Sequence, residues 1–557
     1  MQRILVIQLA RIGDLLQSSP LIQGIRGKNG DVEVTLLISE KTKELASRIS
    51  GVDEVLGFDF EKASRIINDG QKALSSKYQE FSSLLNGLKG RSFDSVYNLN
   101  YSPVNANLMN LIDYRKAFCY PLDKSNRRIL KNPWLSYMFS ILRERRLNRF
   151  NLVDIYLHGA EIPCSERSLS FQVGGGAQVA AARFLARHGI GEGDRLIGFQ
   201  LGAGDTIRCW PVESYARLAD RLIQLPQVRI VLFGSPTETE LGREFEARLE
   251  GFKEEGAGKG RIINLVGKTT LQELGAFLTH CELLLTPDTG TMHLAAAVGT
   301  RVMALFLGSA FCHETGPYGN GHLVIHPRLA CYPCLQNQHP CSEHHCKEAI
   351  SADTLAEIIE RVGWDHPNEI AGAPGLELDS EVAVLRSRMA DGLVEHIPVA
   401  EYTFSLEDTI AQGYRVMWQW LLNGTRSAPT VETGAILGHC DVASLTQAQR
   451  LEIRTLEMHF EKLQKLLKAA QASFRPQDTA SVELTLGREQ ALRILKGKGK
   501  TGPRWIRPLI HFFDVEYENI RSSDGGDMQI ERLLGRLARG AQLMKDFSRG
   551  LAGSVLA

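Results

Sequence analysis

Two stretches of this chain open in the same way, and that repetition limits its fold more than any other feature. Residues 3–14 read "RILVIQLARIGD" and residues 195–205 read "RLIGFQLGAGD". Each is a fully apolar strand that ends at Gln-Leu and runs into a Gly-Asp turn, Gly13-Asp14 in one and Gly204-Asp205 in the other. Helical patterns follow both: "LLQSSPLIQGIRG" after the first and "PVESYARLADRLIQL" after the second. Apolar strands separated by helices form parallel sheets covered on both faces. After the first strand come "VEVTLLIS", "VDEVLGFD" and "FDSVYNLN"; after the second come "VRIVLFGSP", "IINLVG", "ELLLTPDTG" and "RVMALFLG". The chain is therefore expected to hold two doubly wound α/β units. Ligands bind at the carboxyl ends of strands in such sheets, where both Gly-Asp turns lie.

The 557 residues exceed one core, and domains of roughly 100 to 200 residues suggest three. The expected division is 1–172, 173–367 and 368–557, with "NEIAGAPGLEL" (368–378) as a linker. The last part reads as helical. "SLEDTIAQGYRVMWQWLLNG" opens on a Ser-x-x-Asp cap and stops at Gly424. "SLTQAQRLEIRTLEMHFEKLQKLLKAAQASF" opens on a Ser-x-x-Gln capping box, with an apolar stripe through Leu445, Ala448, Leu456, Phe460, Leu463, Leu467 and Ala470. "SADTLAEIIERVGW" reads as the last helix of the second unit.

Charge excludes one class of partner. Lys and Arg number 64 against 64 Asp and Glu, and no nucleic-acid-binding motif occurs, so no nucleic acid is expected. The opening apolar run is too short for a signal peptide, and no apolar stretch reaches the ~18 residues of a membrane span. A cytoplasmic protein is expected, able to touch the inner membrane peripherally. Two basic segments, 124–150 with Trp134, Tyr137 and Phe139, and 487–508, suit an anionic lipid or glycan, or equally a solvated surface.

Three loops of the second unit carry chemistry. In "LLLTPDTGTMHLAAAVGT" (283–300) a buried strand ends at Asp288 and a small-residue helix begins. Its first N–H groups make an anion site; Thr289 and Thr291 add hydroxyls, Gly290 allows close approach, and His293 lies one turn in. The same residues are also an ordinary strand-to-helix turn capped by Asp288. In "GFQLGAGDTIRCWPVESY" (198–215), Gly202 and Gly204 let the loop approach a ligand and Arg208 can neutralise phosphate, unless it is simply solvated. In "LFGSPTETE" (232–240), Glu238, or less favourably Glu240, can bind ribose hydroxyls or merely complement a helix dipole.

Four of the ten cysteines, Cys331, Cys334, Cys341 and Cys346, fall in "CYPCLQNQHPCSEHHC" as C-x2-C-x6-C-x4-C. Four thiolates with a close first pair suit a structural zinc or iron site, with His339, His344 or His345 as substitutes. Reduced thiols and disulfides are the other two readings.

Taken in order, "ILVIQLARIGDLLQSSPLI", "GAGDTIRCWP" and "DTGTMHLAAAVG" resemble the motifs of glycosyltransferase family 9, the ADP-heptose heptosyltransferases of lipopolysaccharide core synthesis. The resemblance covers residues 1 to about 365. It implies a GT-B fold: an acceptor domain, a nucleotide-sugar domain and the active site between them, here followed by a helical extension. Asp14 matches the family's general base, with Gly13 on the acceptor side. Asp288, Thr289, Gly290, Thr291 and His293 match its donor-diphosphate turn, and Glu238 is assigned the ribose contact. Arg208 stands where the family usually has a phosphate-binding Lys. The resemblance also implies inverting transfer of heptose, or a similar sugar, from a nucleoside diphosphate to a lipopolysaccharide core or other surface glycan. No cofactor for catalysis is expected, and no Asp-x-Asp motif occurs in the chain. Two alternatives stand beside this reading: a protein glycosyltransferase that recognises its acceptor through the helical extension, and an inactive sugar-nucleotide-binding scaffold.

Overall fold

The computed structural model describes the chain except residues 124–125, 128, 131, 164–166, 253–259, 335–340, 342–343, 364–380, 400–404, 425–444, 475–481, 523–525 and 557. Two compact units emerge. One comprises residues 1–117, 151–157 and 161–401; the other comprises 118–150, 158–160 and 402–557.

The first unit contains both sheets. Five strands, β1 (Gln2–Gln8), β2 (Val32–Ser39), β3 (Glu54–Phe58), β4 (Ser92–Asn98) and β5 (Asp113–Cys119), lie in the order β3-β2-β1-β4-β5. Chain direction reverses its march across the sheet at β1, so the crevice opens between the ends of β1 and β4. Ile4 to Ile7 of β1 are fully buried because neighbours cover both faces, which is why the strand is apolar without alternation.

The second sheet repeats this plan. Strands β6 (Arg195–Gln200), β7 (Val228–Phe233), β8 (Ile262–Asn264), β9 (Leu283–Pro287), β10 (Arg301–Leu305) and β11 (Leu323–Pro327) are mutually parallel, with the switch between β6 and β9. Two further strands, β12 (Val382–Ala390) and β13 (Leu393–Pro398), form an antiparallel hairpin on the edge of β11. This differs from the sequence reading, which placed residues 368 onward in a helical extension. The hairpin turns on Asp391 and Gly392, at φ 50° and 73°. Two successive positive φ values give the tight turn whose twist matches flanking strands, and Asp-Gly is its usual sequence. The expected linker, 368–378, lies outside the described residues.

The helix expected after β1 is in fact two, Ile12–Gln17 and Ser19–Asn29. Pro20 has no N–H to continue the first, and the Ser18 hydroxyl bonds back to the Leu15 carbonyl at 2.6 Å. A short helix thus carries Gly13 and Asp14 in its first turn and ends within two turns.

The second unit is helical, with helices Leu406–Asn423, Gln447–Ser473, Val482–Thr501, Arg507–Ser522 and Asp527–Leu556. Ser405 caps the first through the Asp408 N–H (3.0 Å), and Gly424 ends it at φ 68°. The second begins two residues later than expected: its capping box is Thr446 with Gln449, not Ser444 with Gln447. Residues 118–150, read from sequence as part of the N-terminal domain, group with these helices. Trp134 and Tyr137 are buried there, and Tyr137 meets Trp418 at 5.1 Å between ring centroids. Arg149, 3% exposed, bonds Asp408 at 2.7 Å, and Arg507 bonds Glu144 at 3.2 Å. Much of the basic, aromatic segment is therefore spent on internal packing. Among the described residues no helix is long and apolar enough to cross a membrane.

Candidate active site

Both Gly-Asp turns and the Asp288 turn lie at the ends of β1, β6 and β9, and all three border a cavity of about 1590 Å3. From the first sheet it is lined by residues 9–13 and by Ser39, Lys41 and Thr42. From the second it is lined by Gly202, Gly204, Glu238, Thr289, Gly290 and Thr291, among others.

Two glutamines in matching positions hold these loops. At the end of β6, buried Gln200 accepts from Thr291 Oγ1 (3.1 Å) and donates to the Gly202 carbonyl (3.0 Å). It also reaches Glu238 Oε2 at 3.4 Å, so one side chain ties three donor-side loops together. At the end of β1, buried Gln8 accepts from Asn100 Nδ2 (2.6 Å) and donates to the Asp14 carbonyl (3.4 Å). Asn100 in turn accepts from the Leu9 N–H at 2.7 Å. Buried polar networks with their partners satisfied fix loop positions, and here they fix the walls of the cavity.

Glycine is required where the walls approach. A Cβ on Gly13 would sit 2.9 Å from His293 Cδ2, and one on Gly290 would sit 3.1 Å from Ile12 Cγ2. The turn after β1 and the turn after β9 therefore touch through Gly13 and Gly290. At Gly202 a Cβ would lie 2.0 Å from Glu238 Oε1. Gly202→Ala is thus expected to push the Glu238 carboxylate out of place and weaken nucleotide binding about ten-fold, the order of one misplaced hydrogen bond to a charged group. Titration of the variant with ADP checks this; unchanged affinity would detach Glu238 from the nucleotide.

Four of the expected site residues, Asp14, Arg208, Asp288 and His293, are not among the residues that line this cavity. Asp14 occupies the third position of its helix, and its Oδ2 accepts from the Arg11 N–H at 3.2 Å. It is a cap, as one sequence reading had it. Burial raises its pKa, and the Arg11 N–H and charge only partly oppose this. Asp288 pairs with Arg208 (Nη1 to Oδ2, 3.2 Å). Burial raises its pKa to about 6; Arg208 and Thr315 pull it down, and the charge of Asp14 pushes it up. The two carboxylates, from different sheets, are therefore close enough to repel. His293 is buried and its pKa falls to about 4 by desolvation, so the imidazole is neutral at pH 7. Its Nδ1, like Arg208 Nε, is buried without a partner among the described residues.

Glu238 caps its own turn through the Ser235 N–H at 2.6 Å while lining the cavity. Glu240 also lines it, but is exposed and pairs with Arg243 at 2.9 Å. Several lining residues escaped the sequence reading. Ser39, Lys41 and Thr42 follow β2, whose carboxyl end was a visible place to look. Cys209 lies within the Arg208 loop, and Lys347 directly follows the cysteine cluster.

The expected metal site finds no support in the cluster: none of Cys331, Cys334, Cys341 and Cys346 is in a disulfide, and among the described residues no three His, Cys, Asp or Glu side chains are placed to hold an ion. Cys331 is exposed while Cys346 is buried, and Cys341 Sγ accepts from the His344 N–H at 3.3 Å. His339 lies outside the described residues.

Comparison with known proteins fits these motifs. The family model described as glycosyltransferase family 9 (heptosyltransferase) matches residues 82–345. A lipooligosaccharide heptosyltransferase 2 of Campylobacter jejuni is 30% identical over 168 residues, 30% of this chain and 50% of that protein. The lipopolysaccharide heptosyltransferase 2 of Salmonella typhimurium is 25% identical over 325 residues, 55% of this chain and 82% of that protein. A solved family 9 glycosyltransferase of Veillonella parvula covers 65% of this chain and 97% of its own, at 20% identity and a TM-score of 0.48. The match to the Campylobacter relatives spans about half of their length. Residues 82–345 of the chain thus match glycosyltransferase family 9, and its opening, glycine-loop and Asp-Thr-Gly motifs gather at one cavity.

Proposed function

We propose that this chain is an inverting glycosyltransferase. It transfers heptose, or a similar sugar, from a nucleoside diphosphate, ADP-heptose first among candidates, to a lipopolysaccharide core or related glycan. The observation that carries this reading is the meeting of Gly13-Asp14 with the 288–293 turn at the cavity edge. An acceptor hydroxyl must lose its proton as it attacks the anomeric carbon, and a carboxylate can take it. Asp14 is the carboxylate on the acceptor side, and burial makes it a stronger base than an exposed Asp. The departing diphosphate gains negative charge. The N–H groups that start helix Gly290–Ala297, the Thr289 hydroxyl and Arg208 are the donors available to meet it. Neutral His293 can donate or accept a hydrogen bond without adding charge.

The names of the relatives support heptose as the sugar. With this reading goes a cytoplasmic enzyme that meets its acceptor at the inner membrane. The test is transfer from ADP-heptose, with UDP- and GDP-sugars in parallel, to a truncated core acceptor. Product from ADP-heptose alone is expected. Tight nucleotide binding without transfer to any glycan would leave a sugar-nucleotide-binding scaffold instead.

A further inference from the structure

Lys347 lies beyond the last residue matched by the family model, on the short helix His345–Glu348 that follows the cysteines. It nevertheless lines the donor-side cavity. Its Nζ donates to the Thr206 carbonyl at 2.9 Å. Thr206 begins the single 3-10 turn, Thr206–Arg208, that ends in Arg208. The same turn is braced on its other side. Gly308, at φ 59°, packs so tightly that a Cβ would sit 2.8 Å from the Ile207 carbonyl. The Gly308 carbonyl is itself held by the Cys334 N–H at 2.8 Å. Beside Lys347, Cys346 is buried in the core of the second sheet's layer and fixes the helix. The cysteine-bearing segment therefore touches the Arg208 turn directly at Thr206 and braces it at Ile207 through Gly308.

We propose that Lys347 is part of the donor site, holding the Arg208 turn in position and adding a second positive charge to the cavity wall for the diphosphate. An ammonium has three N–H donors, and one bond to Thr206 leaves capacity for phosphate oxygens. A flexible point charge suits a diphosphate beside the fixed fork of an arginine. This gives the 331–347 segment a role that needs no metal: it delivers a lysine to the nucleotide. The inference rests on the donor being a nucleoside diphosphate.

The test uses the full-length protein and measures stabilisation and affinity with ADP and with adenosine. Lys347→Met is expected to weaken ADP binding about ten-fold or more, as for a lost hydrogen bond to a charged group. Adenosine binding should be unchanged, and Lys347→Arg should recover most of the ADP affinity. A purely structural role would lower both ligands by the same factor, and that result overturns the proposal. So does ADP binding equal to wild type in Lys347→Met, or Lys347→Arg no better than Lys347→Met. If the wild type binds none of ADP, UDP, GDP or CDP, the glycosyltransferase reading fails, and the inference with it. Loss confined to the variant speaks to Lys347 alone.

Discussion

Asp14→Asn is expected to lower kcat by about 10²- to 10⁴-fold, the usual worth of a positioned general base, and to leave donor affinity unchanged. The substitution separates two roles that share one carboxylate. Asp14 caps its helix by accepting from the Arg11 N–H, and an Asn oxygen can accept the same bond. It cannot take a proton from an acceptor hydroxyl. The variant should therefore stay folded while chemistry is lost. Its thermal midpoint near neutral pH should not fall, for a linkage reason. The folded-state pKa of Asp14 is raised by burial, so the folded protein holds this proton to higher pH than the unfolded chain. That favours folding below the unfolded pKa and is lost as pH rises through the folded one. At neutral pH the ionised carboxylate is a burden that Asn removes. The wild-type rate should rise with pH through the same raised pKa, placing its acid limb above the ordinary Asp value of about 3.9. Single-turnover rates across pH check both points. An Asp14→Asn enzyme as fast as wild type would move the base elsewhere.

Arg208→Ala should weaken ADP binding about 10- to 100-fold, the range for a charge-assisted bond to phosphate. A second effect adds to the first. Arg208 is the cation that offsets the burial of Asp288, 3.2 Å away. Without it the Asp288 pKa, about 6 in the wild type, moves further up, and the carboxylate becomes protonated nearer neutrality. ADP affinity of the variant should then change with pH around neutrality, whereas in the wild type the corresponding change centres near pH 6. Calorimetric titration at several pH values reads both. Arg208→Lys is the informative companion: it should retain most of the charge effect and lose the fixed geometry. Wild-type affinity in Arg208→Ala would place the diphosphate away from this turn.

Much of this was legible in the chain because parallel strands buried on both faces must be apolar throughout. "RILVIQLA" and "RLIGFQLG" therefore announced two sheets, and the loops at their carboxyl ends announced the site. The twin Gln-Leu pairs were visible too, but their work was not. Gln8 and Gln200 act through bonds to residues as distant as Asn100, Glu238 and Thr291, and such partners follow only from strand order. The β12–β13 hairpin was missed although Asp391-Gly392 is a strong turn signal, because its pairing partner, β11, lies across the residues that read as a linker. The cysteine spacing suggested a metal, but spacing does not place side chains, and among the described residues no three of them are set to hold an ion. Sequence alone determined the two-sheet architecture and the loops at the carboxyl ends of β6, β7 and β9, since these depend on local pattern. Only the tertiary structure decided that Gly13 packs on His293, that Asp288 takes Arg208 as its partner, and that Lys347 reaches the Arg208 turn, because each joins residues tens to hundreds of positions apart through the packing of loops.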